Sequence, residues 1–195
     1  MNYAIIGSGN VGSALARQFA RNGIAVGIAN TRGPDSISAL AEELAGYLTP
    51  LSLEDAAKAD VVILATPFLA HSDVARAAKD WRGKIVVDAM NTYGVPPEAL
   101  GGRPSTEVVA AAFPGARLVK TFNQLPAKLL GANPVEHGGR RVMFVAGNDA
   151  EAAGSMAKLV GDLGFAPIVL GTLQEASSLL DKGGALVLQN LVKQG

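Results

Sequence analysis

Residues 3 to 12 have the sequence Tyr3-Ala4-Ile5-Ile6-Gly7-Ser8-Gly9-Asn10-Val11-Gly12, a short apolar run followed by the glycine pattern G-x-G-x-x-G. Residues 11–21 then place apolar side chains at helical spacing, and Asn22-Gly23 ends that helix. A second apolar run follows at 24–29. The glycine pattern alone is a weak signal, but a strand before it and a helix and strand after it are typical of a dinucleotide-binding unit. An ordinary strand-to-helix turn is the less favoured alternative.

The alternation of strands and helices continues along the chain. Residues 61–65 and 85–88 are continuously apolar, which indicates parallel strands covered on both faces. Further strands are predicted near 47–48 and at 118–122, 141–146 and 167–170. Helices are predicted at 34–44, from Ser52, and at 105–113, 149–163, 173–180 and 185–192, with a surface loop at 131–140.

This order of elements predicts an α/β protein with a Rossmann-type, doubly wound, mostly parallel sheet and a C-terminal α/β extension. We expect residues 1–122 to form an NADP-binding domain. Residues 123–195 are expected to form the extension, or a small cap packed on the same sheet.

Each glycine of the first loop has a predicted role. Gly7 makes the tight turn, Gly9 lets the backbone approach a pyrophosphate, and Gly12 lets the helix pack against the strand. The N–H groups and dipole at the helix N-terminus favour the anion. We therefore predict that this loop binds a dinucleotide through its six residues, Gly7, Ser8, Gly9, Asn10, Val11 and Gly12.

The end of the second strand indicates which dinucleotide binds. NAD-binding proteins usually carry an acidic residue there for the ribose 2′-hydroxyl, whereas this chain has Asn30-Thr31-Arg32. The Thr31 hydroxyl and the Arg32 guanidinium suit a 2′-phosphate. We predict NADP rather than NAD, with a solvated loop charge as the alternative role for Arg32.

Three later strand ends lie at the same predicted edge of the sheet. Ala65, Thr66 and Pro67 end one strand and are predicted beside the nicotinamide ribose, although a plain helix start is an equal alternative. Asn91 and Asn123 follow two other strands. They are predicted to hydrogen-bond the nicotinamide amide or a second ring, the alternative being turn chemistry.

No catalytic residue is predicted. His71 lies near the expected cleft, but a histidine on a helix surface is the favoured interpretation, and His137 is expected to be solvated. Met90 is predicted either in a pocket wall or in the core. The sequence has no recognisable nucleophile–base pair, carboxylate cluster or lysine–tyrosine dyad. Hydride transfer between two rings depends on their positioning more than on a side-chain acid.

Composition excludes several other classes of function. The chain has no cysteine and only two histidines, so we expect no metal site. Lys plus Arg and Asp plus Glu number 17 each, which gives no basic surface for nucleic acid or membrane. The chain opens directly into an apolar strand, so we expect no signal peptide and a cytoplasmic location.

Three stretches together resemble the deazaflavin (coenzyme F420)-dependent NADP oxidoreductases: residues 7–12, residues 29–34, and Lys120-Thr121-Phe122-Asn123. Residues 171–176 are similar to the family's late glycine-containing turn. The resemblance implies a homodimer that exchanges hydride between NADPH and a deazaflavin stacked in one cleft. The family's Rossmann domain is also similar to the cytoplasmic domain of membrane metalloreductases, which passes electrons from NADPH to a flavin.

The sequence thus predicts an NADP(H)-dependent oxidoreductase with a deazaflavin or a flavin-like molecule as its second substrate. Two alternatives remain open: a non-catalytic NADP(H)-sensing module, and an NADPH-dependent reductase of a small carbonyl or imine compound. The latter needs a proton donor in the cleft.

Overall fold

A computed structural model describes all residues, Met1–Gly195. The strands are β1 (Tyr3–Ile6), β2 (Val26–Ala29), β3 (Leu48–Pro50), β4 (Val61–Leu64), β5 (Ile85–Asp88), β6 (Arg117–Thr121), β7 (Val135–Glu136), β8 (Gly139–Gly147), β9 (Ala166–Val169) and β10 (Val192–Gln194). The helices are α1 (Asn10–Arg21), α2 (Ser38–Glu43), α3 (Leu53–Ala56), α4 (His71–Ala75), α5 (Ser105–Ala112), α6 (Ala127–Leu130), α7 (Ala150–Asp162) and α8 (Leu173–Leu180). Short 3₁₀ turns occupy Pro34–Ile37, Phe68–Ala70 and Pro97–Leu100.

The sheet has the spatial order β10-β8-β6-β5-β4-β1-β2-β3. Strands β1 to β6 are mutually parallel, β8 runs antiparallel to β6, and β9 pairs in parallel with the other edge of β8. Strand order reverses between β1 and β4, which is where α/β sheets of this kind bind ligands. The predicted Rossmann-type fold is confirmed.

Two apolar cores cover the two faces of the sheet. Alternate residues of β1 point to opposite faces, so Ile5 belongs to one core while Ala4 and Ile6 belong to the other. Helices α1 and α7 pack on the Ile5 face, and α5 and α8 pack on the opposite face. All four residues of β2, β4 and β5 are buried, as their apolar sequences predicted.

The structure differs from the sequence prediction in three segments. The predicted helix at 34–44 is a 3₁₀ turn followed by the short α2. The predicted loop at 131–140 contains β7, which pairs with β8 through a turn at His137 and Gly138, both with positive φ.

The predicted helix at 185–192 is wrong. Residues 185–188 form a turn and residues 189–191 have no regular structure, Gly183 and Leu188 adopt positive φ, and β10 pairs antiparallel with the start of β8. The exposed backbone groups of β8 provide this tail with a hydrogen-bonding partner that helical periodicity cannot reveal. None of the helices combines the length and the apolar character needed to cross a bilayer.

Candidate functional site

Two of the three glycines are required by close packing within the fold. Gly7 adopts φ +115°, and a Cβ there would lie 2.3 Å from the Ala65 carbonyl oxygen. A Cβ at Gly12 would lie 1.7 Å from the Gly7 carbonyl oxygen. The contact of α1 with the end of β1, and of that turn with the end of β4, therefore leaves no room for a side chain.

Gly9 is different. It adopts φ −78°, which any residue tolerates, and a Cβ there would meet no atom within 4 Å. Gly9 caps α1 without a side-chain hydrogen bond, so the N–H groups of the first turn, which have no intrahelical acceptor, stay available. The fold itself does not need this glycine, whereas the open space before a helix N-terminus fits a pyrophosphate.

A cavity of about 350 Å³ lies beside this loop and joins three strand ends. Nine of the predicted site residues line it: Gly7, Ser8, Gly9, Asn30, Thr31, Arg32, Ala65, Thr66 and Pro67. Asn10, Val11 and Gly12 form the adjoining first turn of α1. Asn91 and Asn123 lie outside this cavity, at the ends of β5 and β6.

Hydrogen bonds organise the loop after β2. Asn30 Nδ2 donates to Ser8 Oγ at 2.6 Å and to Ser36 Oγ at 2.9 Å. Asn30 Oδ1 accepts from the Arg32 N–H at 2.8 Å. Arg32 is exposed and forms no ion pair with a carboxylate. The loop thus presents an unpaired guanidinium on an ordered backbone, and Ser36 is a member that the sequence prediction missed.

A mutual hydrogen-bond pair joins the ends of β5 and β6. Asn91 Nδ2 donates to the Asn123 carbonyl at 2.7 Å. Asn123 Nδ2 donates to Asn91 Oδ1 at 3.1 Å and to the Leu180 carbonyl at 2.7 Å. Because both partners of Nδ2 are oxygens, which can only accept, the nitrogen of the Asn123 amide must face them, and this assigns the orientation of the amide. Asn123 Oδ1 is then a buried acceptor without a partner.

Phe122 sets the direction of Asn123. This buried residue adopts φ +66°, a conformation that costs a bulky side chain about 1–3 kcal/mol. The Phe122 side chain packs in the core on the Ile5 face. The following side chain, that of Asn123, then hydrogen-bonds with Asn91. The sequence gives no local signal of this backbone strain.

A buried ion pair lies beneath the same edge. Lys120 Nζ lies 2.9 Å from Asp88 Oδ2 and donates to the Met90 carbonyl at 2.7 Å, while the Met90 N–H donates to Asp88 Oδ1 at 2.9 Å. The lysine and aspartate side chains are only 2% and 0% exposed. The pair therefore holds the backbone that leads from β5 to Asn91. Met90 itself is buried and accepts a weak hydrogen bond from Thr66 Oγ1 at 3.4 Å.

His71 is buried, so the expectation of a histidine on a helix surface is wrong. Its Nδ1 lies 2.6 Å from the Phe68 carbonyl, and its ring packs against the Phe68 ring. His137 is exposed, as expected. No group of three or more His, Asp or Glu side chains could hold a metal ion.

Residues 2–92 match the family described as NADP oxidoreductase, coenzyme F420-dependent. The fold superposes on hypothetical protein SMa0349 from Sinorhizobium meliloti with a TM-score of 0.95 and 45% identity, covering 100% of this chain and 96% of that one. It also superposes on a putative F420-dependent NADP reductase from Arthrobacter sp. FB24 with a TM-score of 0.75 and 31% identity, covering 91% and 87% of the two chains.

Among curated proteins, metalloreductase STEAP3 of Rattus norvegicus is 31% identical over 174 residues, which are 88% of this chain and 34% of that protein. The chain thus spans about a third of the length of the curated relatives that it matches. The resemblance predicted from the sequence is confirmed by the family match and by the Arthrobacter structure: the chain belongs to the coenzyme F420-dependent NADP oxidoreductase family.

Proposed function

We propose that this protein transfers a hydride between NADPH and a planar acceptor, either a deazaflavin or a flavin-like ring. The observation that carries the proposal is the open cradle at Gly9, which the fold does not require and which a pyrophosphate would fill. The adjoining cavity extends to Thr31 and Arg32, which fit a 2′-phosphate. Support for the acceptor comes from the family and from the name of the Arthrobacter relative.

The predicted site residues have distinct proposed tasks. The loop from Gly7 to Gly12 holds the pyrophosphate, and Thr31 and Arg32 bind the 2′-phosphate. Thr66 and Pro67 lie beside the nicotinamide ribose. The buried Asn123 Oδ1 accepts an N–H from the nicotinamide carboxamide or from the second ring. When NADPH is bound, its nicotinamide supplies the hydride.

The C-terminal part of the chain is proposed to form the side of the cleft that binds the acceptor. We propose that residues 1–122 form the NADP-binding domain and that residues 123–195 extend the same sheet and carry Asn123 and α8. We propose a homodimer, by analogy with the family, and a cytoplasmic location, as the sequence predicts. The name of the STEAP3 relative, a metalloreductase, favours electron transfer from the dinucleotide as the shared activity.

Specific recognition of the 2′-phosphate can be tested with Arg32→Ala. We expect NADPH binding to weaken by about 1.5–3 kcal/mol, the value of a charge-assisted hydrogen bond, with NADH binding unchanged. Arg82→Ala is the control. Arg82 is an exposed arginine that precedes β5, so it lies at the N-terminal ends of the parallel strands, opposite the proposed site. Titrations by nucleotide fluorescence measure both. Equal losses for the two nucleotides would place Arg32 away from the phosphate.

Turnover assays separate the proposed enzyme from the alternatives. NADPH oxidation is measured with a deazaflavin, a flavin and a panel of small carbonyl compounds. Tight NADPH binding without turnover would favour a sensing module. Rapid turnover of a carbonyl compound that disappears in His71→Ala would favour an NADPH-dependent reductase of small carbonyl compounds. Against that outcome, His71 is buried and its Nδ1 already lies 2.6 Å from the Phe68 carbonyl, an arrangement that serves the local structure.

A further inference from the structure

An exposed aromatic ring and an unpaired cation meet beside the proposed acceptor side. Lys182 Nζ lies over the Tyr93 ring, 5.8 Å from its centroid, within the range of a cation–π contact. Tyr93 is 54% exposed, and Lys182 is exposed and forms no ion pair. The adjacent Asp181 carboxylate is occupied by the Ser105 N–H and hydroxyl, which donate to it at 3.2 and 2.6 Å.

The Asn91–Asn123 pair fixes the place of these two side chains. Tyr93 comes two residues after Asn91, and Lys182 comes two residues after Leu180, whose carbonyl accepts from Asn123. Both residues therefore follow closely on the segments that hydrogen-bond with Asn123, whose Oδ1 lacks a partner. The ends of β5 and β2 are three strand spacings apart, roughly 14 Å, so the segment after β5 that carries Tyr93 begins well away from the 2′-phosphate loop.

The contact between Lys182 and Tyr93 is weak enough to be exchanged for a ligand. An exposed cation–π pair contributes little to folding, and neither side chain belongs to an apolar core. An aromatic face suits a flat ring, and a free ammonium suits a phosphate. These two side chains contribute little to the stability of the fold, and together they suit a molecule that has both a flat ring and a phosphate. This combination points to a ligand subsite.

We propose that Tyr93 and Lys182 form a subsite that selects acceptors with a planar ring and an anionic, phosphate-bearing side chain. Tyr93 contacts the ring, and Lys182 pairs with the phosphate. The inference rests on the proposed function, because it assigns the Asn123 end of the cleft to the acceptor. It adds the chemical class of acceptor that this chain prefers.

Riboflavin and flavin mononucleotide test the subsite, because they share one ring system and differ only in the phosphate. Their affinities for the protein, with and without NADP⁺, are measured by quenching of flavin fluorescence at low ionic strength. We expect the mononucleotide to bind about fivefold more tightly, the upper end for one exposed ion pair. Salt at 0.15 M should reduce this preference, since screening then acts over about 8 Å.

Variants assign the preference to the two side chains. Lys182→Gln should abolish it and leave riboflavin binding unchanged, while Lys79→Gln, another exposed lysine without an ion pair, should change neither affinity. Tyr93→Leu should weaken both flavins about equally, and Tyr93→Phe should retain both affinities.

Three outcomes would overturn the subsite: no binding of either flavin, equal binding of both by the native protein, or a preference that persists in Lys182→Gln. The turnover assay is read separately. Flavin binding with the expected preference, but without NADPH oxidation, would refute the proposed hydride transfer and leave the subsite standing.

Discussion

Gly9→Val should separate nucleotide binding from folding. The backbone at Gly9, with φ −78° and ψ −165°, lies in the extended region that β-branched residues favour. A Cβ there meets nothing within 4 Å of the protein. The new side chain should therefore occupy only the space in which we place the pyrophosphate.

The effect of Gly9→Val on stability should be small. Replacing glycine at a compatible position stabilises by about 0.4–1 kcal/mol through the unfolded chain. Losing glycine at a helix N-cap costs about 0.5–1 kcal/mol. These terms nearly cancel, so the melting temperature should move by less than about 4 °C.

The effect of Gly9→Val on binding should be large. A side chain that displaces the pyrophosphate removes at least two hydrogen bonds between backbone N–H groups and phosphate, each worth about 1.5–3 kcal/mol. Their sum, about 3–6 kcal/mol, corresponds to a loss of more than about a hundredfold in affinity. NADPH and NADH should lose affinity alike, because they share the pyrophosphate.

Gly12→Ala provides the contrast. Its Cβ would lie 1.7 Å from the Gly7 carbonyl oxygen, a backbone atom, so β1 and α1 must move apart. We expect a destabilisation of about 3 kcal/mol or more and a melting temperature lower by at least 6 °C. Circular dichroism melts and fluorescence titrations measure both variants. Native NADPH affinity in Gly9→Val would refute the cradle, and an unfolded Gly9→Val would refute the claim that the fold tolerates a side chain there.

Three further perturbations address the acceptor side and α8. Lys120→Met should destabilise the fold by about 3–5 kcal/mol, because it leaves Asp88 buried and unpaired. The double variant Lys120→Met with Asp88→Leu should recover the melting temperature but not the rate of NADPH oxidation. Asn123→Ala should lower kcat/KM for the acceptor about tenfold more than NADPH affinity, measured by steady-state kinetics and titration. Hydrogen bonds from Thr172 lower the pKa of Glu175 below its usual 4.5, so its capping contribution is present above pH 4.5 and is lost as the pH falls through the lowered pKa. The protection factor of the Thr172 amide, which is its intrinsic exchange rate at each pH divided by the measured rate, should fall there, and Glu175→Gln should abolish that pH dependence.

The cofactor half could be predicted from the sequence because its signals are local. The glycine pattern, the helix after it and the polar turn at the end of β2 all lie within residues 3–36. The continuously apolar strands indicate a covered parallel sheet without knowledge of their partners. Ser36 was missed because its bond to Asn30 depends on the turn at Gly33, whose φ of +90° no periodicity predicts.

The acceptor half could not be predicted to the same depth because its signals are long-range. The buried Lys120 finds Asp88 across two neighbouring strands, 32 residues apart in the sequence. The tail that forms β10 depends on a free strand edge more than 40 residues away, at Arg141. The local pattern therefore favoured a helix at 185–192, whereas pairing with β8 makes the end of this segment a strand.

This difference between the halves bears on which substitutions could change the acceptor. The amide of Asn123 is held by Asn91 and by the carbonyl of Leu180, 57 residues away, and its direction depends on the strained backbone of Phe122. A substitution at Asn123 therefore disturbs the ends of β5, β6 and α8 together. Tyr93 and Lys182 are attached to the same segments, but both side chains are exposed. Acceptor preference should thus be easier to alter at this exposed pair, where a changed side chain leaves the supporting hydrogen bonds intact.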